Sequence, residues 1–258
     1  MSETFAIEYL HELEFRWKDF DALSDDQKAA FSIACFAVSE VNALTKIYAY
    51  SQHELTGQTA IDYGVMIQSH SVLRSWSAKL FEFSEFIYFR GRDNRTTDAT
   101  LLSISKRHVE TFKKLRDDKG YSAARYLRHE TTNHYLLSPV RKNLEFVSEN
   151  ANCNFYVHQM TGNSYYPMGD EVVFAARMSR EGGHSGTVEE KLRVYKNWWQ
   201  WNLAATTWLH GVHFDLYNEL IKPIAKTKFA RRKDYWISPS LVGTPEERKI
   251  PLFMRRQE

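Results

Sequence analysis

The sequence predicts an all-α protein. Apolar residues recur at intervals of three and four residues, as in the stripe of Phe31, Ala34, Val38 and Val41, and this spacing puts them on one face of a helix. Capping boxes open two of the periodic segments, at residues 24–27 and 187–190, where side chains bond the free amides of a first helical turn. A length of 258 residues allows one large domain or two small ones.

The same spacing predicts helices in order along the chain. The first, over residues 4–20, is indicated by Phe5, Tyr9, Leu13 and Trp17 at three- and four-residue intervals. The last and longest starts at the second capping box and is expected to end before Pro223, because proline cannot continue a regular helix. The predicted helices cover residues 4–20, 24–51, 59–89, 99–117, 122–136, 138–148, 169–178 and 187–222.

Two segments depart from this helical pattern. Strand-forming residues on either side of Thr161-Gly162-Asn163 predict a small β-hairpin near residues 153–167, which must pack on the helices because an isolated hairpin is barely stable. Residues 224–258 are basic and contain prolines, so we expect an irregular C-terminal tail. The predicted organisation is one helical domain over residues 1–223, followed by this tail.

The densest group of chemically active side chains lies at residues 128–135, Arg-His-Glu-Thr-Thr-Asn-His-Tyr. A zinc protease motif would need its second histidine four residues after His129, but Asn133 stands there. His134 comes one position late, which puts the two histidines about 140° apart on a helix. The spacing therefore argues against a zinc site.

An arginine followed by a polar residue, with a histidine six positions after the arginine, resembles the Arg-x(4–6)-His motif of the HEPN superfamily. Arg128, His129 and His134 occupy these positions, and Leu127 and Tyr135 flank them. Residues 127–135 are similar to the LRNKxxxHY strings of bacterial HEPN-like proteins, and the surrounding helices agree with such a fold. The resemblance implies a HEPN-like antiparallel helical bundle, here with a hairpin insertion and a long C-terminal helix.

The resemblance also implies a metal-independent endoribonuclease without cofactor or metal, a toxin or phage-defence effector that acts as a homodimer. Arg128 would stabilise the charge on the phosphate, and His134 would transfer protons. His129, Glu130, Asn133 and Tyr135 would orient them or contact RNA. On one continuous helix Arg128 and His134 lie about 240° apart, so a dimer groove or a helix end near Asn133 would be needed. The alternative is a non-catalytic helical dimerisation or protein-interaction module in which these residues are structural.

Charge and composition leave the partners open. Residues 90–128 carry eleven basic and five acidic side chains, whereas residues 1–30 carry three basic and eight acidic ones. The basic segment could bind the phosphate backbone of RNA. It is equally compatible with packing of the acidic segment against the basic one. A neutralising protein partner is a further expectation.

The tryptophans of Asn197-Trp198-Trp199-Gln200-Trp201 point in different directions on a helix. At least one is expected in an interface, in a groove or under the C-terminal tail. A dimer interface is preferred over a base-stacking surface. His210 and His213, three residues apart, offer a weaker metal hypothesis; a hydrogen-bonded His213 beside Asn202 and Thr206 is preferred. The sequence predicts a cytoplasmic protein without membrane contact. It has only two cysteines, an acidic N-terminus and no apolar run of about 18 residues.

Overall fold

The computed structural model describes residues 9–52, 56–130, 137–157, 164–182, 188–228 and 232–236. This part of the chain is mostly helical, which confirms the all-α prediction. The helices are α1 (Asp25–Ser51), α2 (Thr59–Phe86), α3 (Ala99–Arg116), α4 (Lys119–Glu130), α5 (Leu137–Asn143), α6 (Pro167–Gly169), α7 (Ala176–Gly182), α8 (Val188–Leu216) and α9 (Lys222–Lys228). Two short strands are β1 (Tyr9–Leu13) and β2 (Arg232–Trp236).

Helix α8 is the centre of the bundle, because α1, α2, α3 and α4 all pack against it. The predicted capping box at the start of α1 is present. The Gln27 amide donates to Ser24 Oγ at 3.2 Å, and the Ser24 amide donates to Gln27 Oε1 at 3.2 Å. The largest side chains with no more than 1% exposure come from these helices and the turn after α2: Leu73, Trp76, Leu80, Ile87, Leu101, Ile104, Phe112, Trp198, Trp201, Leu209 and Leu216.

Two buried polar residues of α8, Asn202 and Thr206, form hydrogen bonds with α2. Asn202 accepts from Ser77 Oγ at 2.9 Å and donates to the Trp198 carbonyl at 3.0 Å. Thr206 accepts from Trp76 Nε1 at 2.8 Å. These bonds satisfy polar groups that would otherwise be buried without a hydrogen-bond partner. Asn202 and Thr206 therefore help to fix the position of α2 against α8.

Trp198 and Trp201 are both fully buried, whereas Trp199 is half-buried, so of the three only Trp199 can be the tryptophan expected in an interface. Trp201 stacks on Phe81, with ring centroids 5.0 Å apart, and donates from Nε1 to the Leu115 carbonyl. Trp198 instead contacts Phe174, with ring centroids 5.6 Å apart. Both can be buried despite their different directions because α8 has neighbours on several sides.

The prediction of a helix over residues 4–20 is wrong. Residues 9–13 form strand β1, and residues 17–20 form a short 3-10 helix. Strand β1 pairs antiparallel with β2, Tyr9 opposite Trp236 and Leu13 opposite Arg232. The backbone of β1 is therefore satisfied by a segment from the far end of the chain, which outweighs the local helical spacing.

The expectation of an irregular tail over residues 224–258 is wrong where the tail is described, since residues 222–228 are helical and residues 232–236 form β2. Residues 229–231 and 237–258 lie outside the described residues. The long helix does not end at Pro223. A π-helical turn over Tyr217–Ile221 joins α8 to α9, and the Lys222 amide bonds the Tyr217 carbonyl. This wider turn precedes a residue that has no amide hydrogen to donate, so the chain stays helical through the proline.

Part of the predicted hairpin is described. Tyr156 and Tyr165 exchange backbone hydrogen bonds of 3.1 and 2.9 Å, and their rings stack. The expected turn at residues 161–163 lies outside the described residues.

One helix within the described ranges, α1, is long and apolar enough by length and composition to cross a membrane. This differs from the expectation that no such segment exists. Helix α1 packs along α2 and α8, and 17% of its apolar window is buried.

Candidate functional site

The sequence motif lies at the end of helix α4. The backbones of Arg128, His129 and Glu130 form its last described turn, but their side chains are not described. Asn133, His134 and Tyr135 lie outside the described residues. The distance between the Arg128 and His134 side chains therefore lies outside the described structure, whereas the helices that flank the motif lie within it.

Helix α4 approaches α8 closely at Gly120. A Cβ atom at this position would lie 2.1 Å from the Asn197 carbonyl oxygen and 2.6 Å from Trp201 Cβ. Beyond this contact Ala123 and Ala124 are buried, and the Tyr121 ring lies 6.0 Å from that of Trp201. Small residues thus allow α4 to pack tightly on α8, which fixes the helix that leads into the motif.

The helices on both sides of the motif contact α7. Helix α4 precedes the motif and α5 follows it, and each packs against Ala176–Gly182. Asn143 of α5 also donates from Nδ2 to the Val172 carbonyl at 3.1 Å. The segment formed by residues 170–182 is therefore the common support of both ends of the motif.

The charged side chains described on α4 and α5 are all cations. Lys119 and Arg125 lie on α4, and Arg141 and Lys142 lie on α5. Each of the four is exposed to solvent. Both helices that border the motif therefore present positive charge, which suits a polyanion.

The support segment begins with a π-helix, Asp170–Ala175, held to α2 by a buried charged cluster. Asp170 Oδ2 accepts from His70 Nδ1 at 2.9 Å, and its Oδ1 accepts from Arg74 at 3.2 Å. Burial by itself would raise the pKa of Asp170. The hydrogen bond from His70 and the charges of His70 and Arg74 outweigh it, so the pKa lies below its usual value. Asp170 is thus a buried anion held between the His70 imidazole and the Arg74 guanidinium.

A second contact joins the π-helix to α2. The Tyr63 hydroxyl donates to Glu171 Oε1 at 3.3 Å, and the pKa of Tyr63 is raised by burial and then by the Glu171 charge. Arg177, in the following turn, is buried too. Irregular π-helical turns occur often at functional sites, and this one places several charges in the interior beside α4 and α5.

Sequence reasoning did not single out His70, Arg74 or Asp170. The only local signal was that His70 and Arg74 are four residues apart and so share a face of α2. Asp170 comes from a segment a hundred residues away from His70, and no local pattern connects them.

The histidines of α8 have separate partners. His213 lies with Nε2 3.5 Å from Cys35 Sγ and stacks on Phe31, whereas His210 meets Asn42 Oδ1 at 2.8 Å. Burial lowers the pKa of His213 and raises that of Cys35, so this pair favours a neutral thiol over a reactive thiolate. His213 is thus hydrogen-bonded as predicted, and its partner is Cys35 of α1.

Within the described ranges, no group of three or more potential ligands is placed to hold a metal ion. Asp215, which follows the α8 histidines, instead binds His108 Nε2 at 2.9 Å and Arg107 at 3.1 Å. These bonds to His108 and Arg107 outweigh the effect of burial and lower the pKa of Asp215.

No family model, curated protein or solved structure matches this chain.

Proposed function

We propose that the protein is a metal-independent endoribonuclease of HEPN type, in which Arg128 and His134 are the catalytic pair. The proposal starts from the motif in the sequence. The structural observation that supports it is the charge of α4 and α5, whose described charged side chains are all exposed cations. An RNA strand that follows these helices would meet positive charge on both sides of the motif.

The chemistry needs no metal. His134 removes the proton of the 2′-hydroxyl, and the oxygen attacks the adjacent phosphorus. Arg128 stabilises the negative charge that develops on the phosphoryl oxygens, because its planar guanidinium pairs with two of them. The bond to the 5′-oxygen breaks, this oxygen takes up a proton, and a 2′,3′-cyclic phosphate remains. His129, Glu130, Asn133 and Tyr135 orient the pair or hold RNA.

The test is cleavage of structured and unstructured RNA in EDTA. We expect cleavage with cyclic-phosphate ends, no cleavage of DNA because it lacks the 2′-hydroxyl, and a loss of at least about 100-fold in His134→Ala and Arg128→Ala. His210→Ala is the matched control, because His210 is an exposed histidine on α8 that bonds Asn42. Equal activity in His134→Ala and His210→Ala, or loss of activity in EDTA, would contradict the proposal.

The second candidate is a non-catalytic helical dimerisation or protein-interaction module. It is favoured by exposed apolar side chains just after the motif, Leu137, Leu144 and Phe146, which a protein partner would cover. In this case the RNA assay shows no cleavage above background. The role of toxin or defence effector, the neutralising partner and the cytoplasmic location belong to the first proposal.

A further inference from the structure

Helix α1 carries a second apolar stripe, turned away from the core. The exposed fractions of its large side chains are 42% for Ile33, 64% for Phe36, 50% for Ile47 and 47% for Tyr50. The side of a helix that faces water is normally polar. The outer stripe, as we name it, consists of Ala29, Ile33, Phe36, Glu40, Ala43, Ile47 and Tyr50.

The members of the outer stripe are separated by four and three residues in strict alternation from Ala29 to Tyr50. This seven-residue repeat keeps a stripe facing a second helix along its whole length. The core-facing residues of α1, such as Ala34 and Val41, form a different stripe that packs inside the bundle. Helix α1 therefore has one apolar side for its own chain and another that is exposed.

We infer that the outer stripe binds the same stripe of a second copy of this chain, with the two α1 helices antiparallel and a two-fold axis beside Glu40. The argument is the order of side-chain sizes. Across this axis, each large side chain faces either a small side chain or one of equal size. Such a match of sizes is what a well-packed interface requires. The pairs are Ala29 with Tyr50, Ile33 with Ile47, Phe36 with Ala43, and Glu40 with its own copy.

The charge at the centre supports the same arrangement. Glu40 pairs with Lys79 of α2 at 2.9 Å, and the Lys79 ammonium lies 6.0 Å from the centre of the Phe36 ring. At the two-fold axis the two carboxylates therefore meet together with two ammonium groups. A lipid surface would place the Glu40 carboxylate in hydrocarbon, which is costly, so the central charge favours a second copy over a membrane.

The outer stripe supplies part of the area of a stable dimer interface. A helix of 27 residues is about 40 Å long. With fully exposed side chains of about 200 Å², the four large residues present on the order of 400 Å². A stable interface covers about 800 Å² per partner, so the stripe supplies about half. Neighbouring exposed side chains on α1 and α2, such as Ser39, Lys46 and Ser75, lie beside it and add to the contact.

The test compares Phe36→Glu with Phe214→Glu by sedimentation velocity of the full chain. The two phenylalanines are matched in exposure, at 64% and 63%, but Phe214 lies on α8 outside the stripe. We expect the unaltered protein and Phe214→Glu to dimerise. Phe36→Glu should raise the dissociation constant about 100-fold, because it would bury a charge in the interface. Circular dichroism confirms that each variant is folded.

Orientation is tested by single cysteines in a chain with Cys35→Ala and Cys153→Ser. Glu40→Cys should form a disulfide-linked dimer on mild oxidation and Ala29→Cys should not, because only position 40 meets itself in the antiparallel pair. Cross-linking of both would overturn the antiparallel arrangement.

A protein that stays monomeric up to about 100 µM, or equal effects of the two phenylalanine substitutions on dimerisation, would overturn the inference. Flotation of a monomeric protein with anionic phosphatidylserine vesicles would assign the stripe to a membrane instead. The inference does not depend on ribonuclease activity, so either can fail alone.

Discussion

Replacement of Gly120 by alanine tests how closely α4 packs on α8. The added Cβ would lie 2.1 Å from the Asn197 carbonyl oxygen and 2.6 Å from Trp201 Cβ. Neither neighbour is the end of a flexible side chain, because one is backbone and the other is the first carbon of a buried tryptophan. Helix α4 must therefore move away from α8, and the Tyr121 and Trp201 rings would separate.

The expected cost follows from two opposing effects. Overpacking of a tight interior contact costs about 1–3 kcal/mol, and often more when the backbone must move. Alanine is intrinsically better than glycine in a helix by about 1 kcal/mol, but Gly120 is only the second residue of α4, so little of this gain is realised. We expect a net loss of about 2–3 kcal/mol, which corresponds to a decrease in Tm of roughly 4–12 °C at this chain length.

Thermal unfolding followed by circular dichroism measures the change, and two other glycines serve as controls. An alanine Cβ at Gly169 meets nothing within 4 Å, and at Gly211 the nearest atom is His108 Cε1 at an ordinary 3.6 Å. Gly211→Ala, inside α8, should gain about 1 kcal/mol, and Gly169→Ala should change little. A Tm for Gly120→Ala equal to that of Gly169→Ala would refute the close packing of α4 on α8.

Three further outcomes are expected. Asp170→Asn should lower the free energy of unfolding by about 3 kcal/mol, because it leaves the Arg74 charge without its buried partner. The pKa of Asp170 is depressed in the folded state, so its contribution is complete above the unfolded pKa and is lost as the pH falls through the folded pKa. In urea unfolding below about pH 4, the free energy of unfolding should therefore fall less steeply with decreasing pH in Asp170→Asn than in the unaltered protein. An equal decrease in both proteins would contradict this. Asn202→Ala should cost about 2 kcal/mol in urea unfolding, since it removes two buried hydrogen bonds worth about 1 kcal/mol each, those to Ser77 and to the Trp198 carbonyl. A loss below that of Thr207→Ala, on the exposed side of α8, would contradict this. The double substitution Arg141→Glu with Lys142→Glu should weaken RNA binding and reduce its dependence on salt concentration, as measured by fluorescence anisotropy. An unchanged affinity would show that these two cations do not contact RNA.

Local signals in the sequence predicted the long helices well. The capping box at Ser24 and Gln27 forms as expected, and the predicted helix from 24 to 51 matches Asp25–Ser51. Such signals work because a helix satisfies its own backbone within four residues. The bonds of Asn202 and Thr206 to α2, in contrast, are not indicated by any local pattern.

Contacts between distant segments could not be predicted in the same way. The helical spacing around Tyr9 and Leu13 was misleading because residues 232–236 provide a strand partner. The His70–Asp170 bond likewise joins α2 to a π-helical turn that no local pattern indicates. The motif at Arg128 and His134 was found from the sequence alone, and it remains a prediction.

The pairing of β1 with β2 turns the chain into a nearly closed ring. Two segments more than two hundred residues apart are joined by backbone hydrogen bonds. Closure of so long a loop is entropically costly in an unfolded chain, so the ribbon should form only after the helices have brought both ends together. A new pair of termini could then be opened elsewhere, for example in the exposed loop at residues 91–95 between α2 and α3, with a short linker from Trp236 to Tyr9, which lie opposite each other in the strand pair.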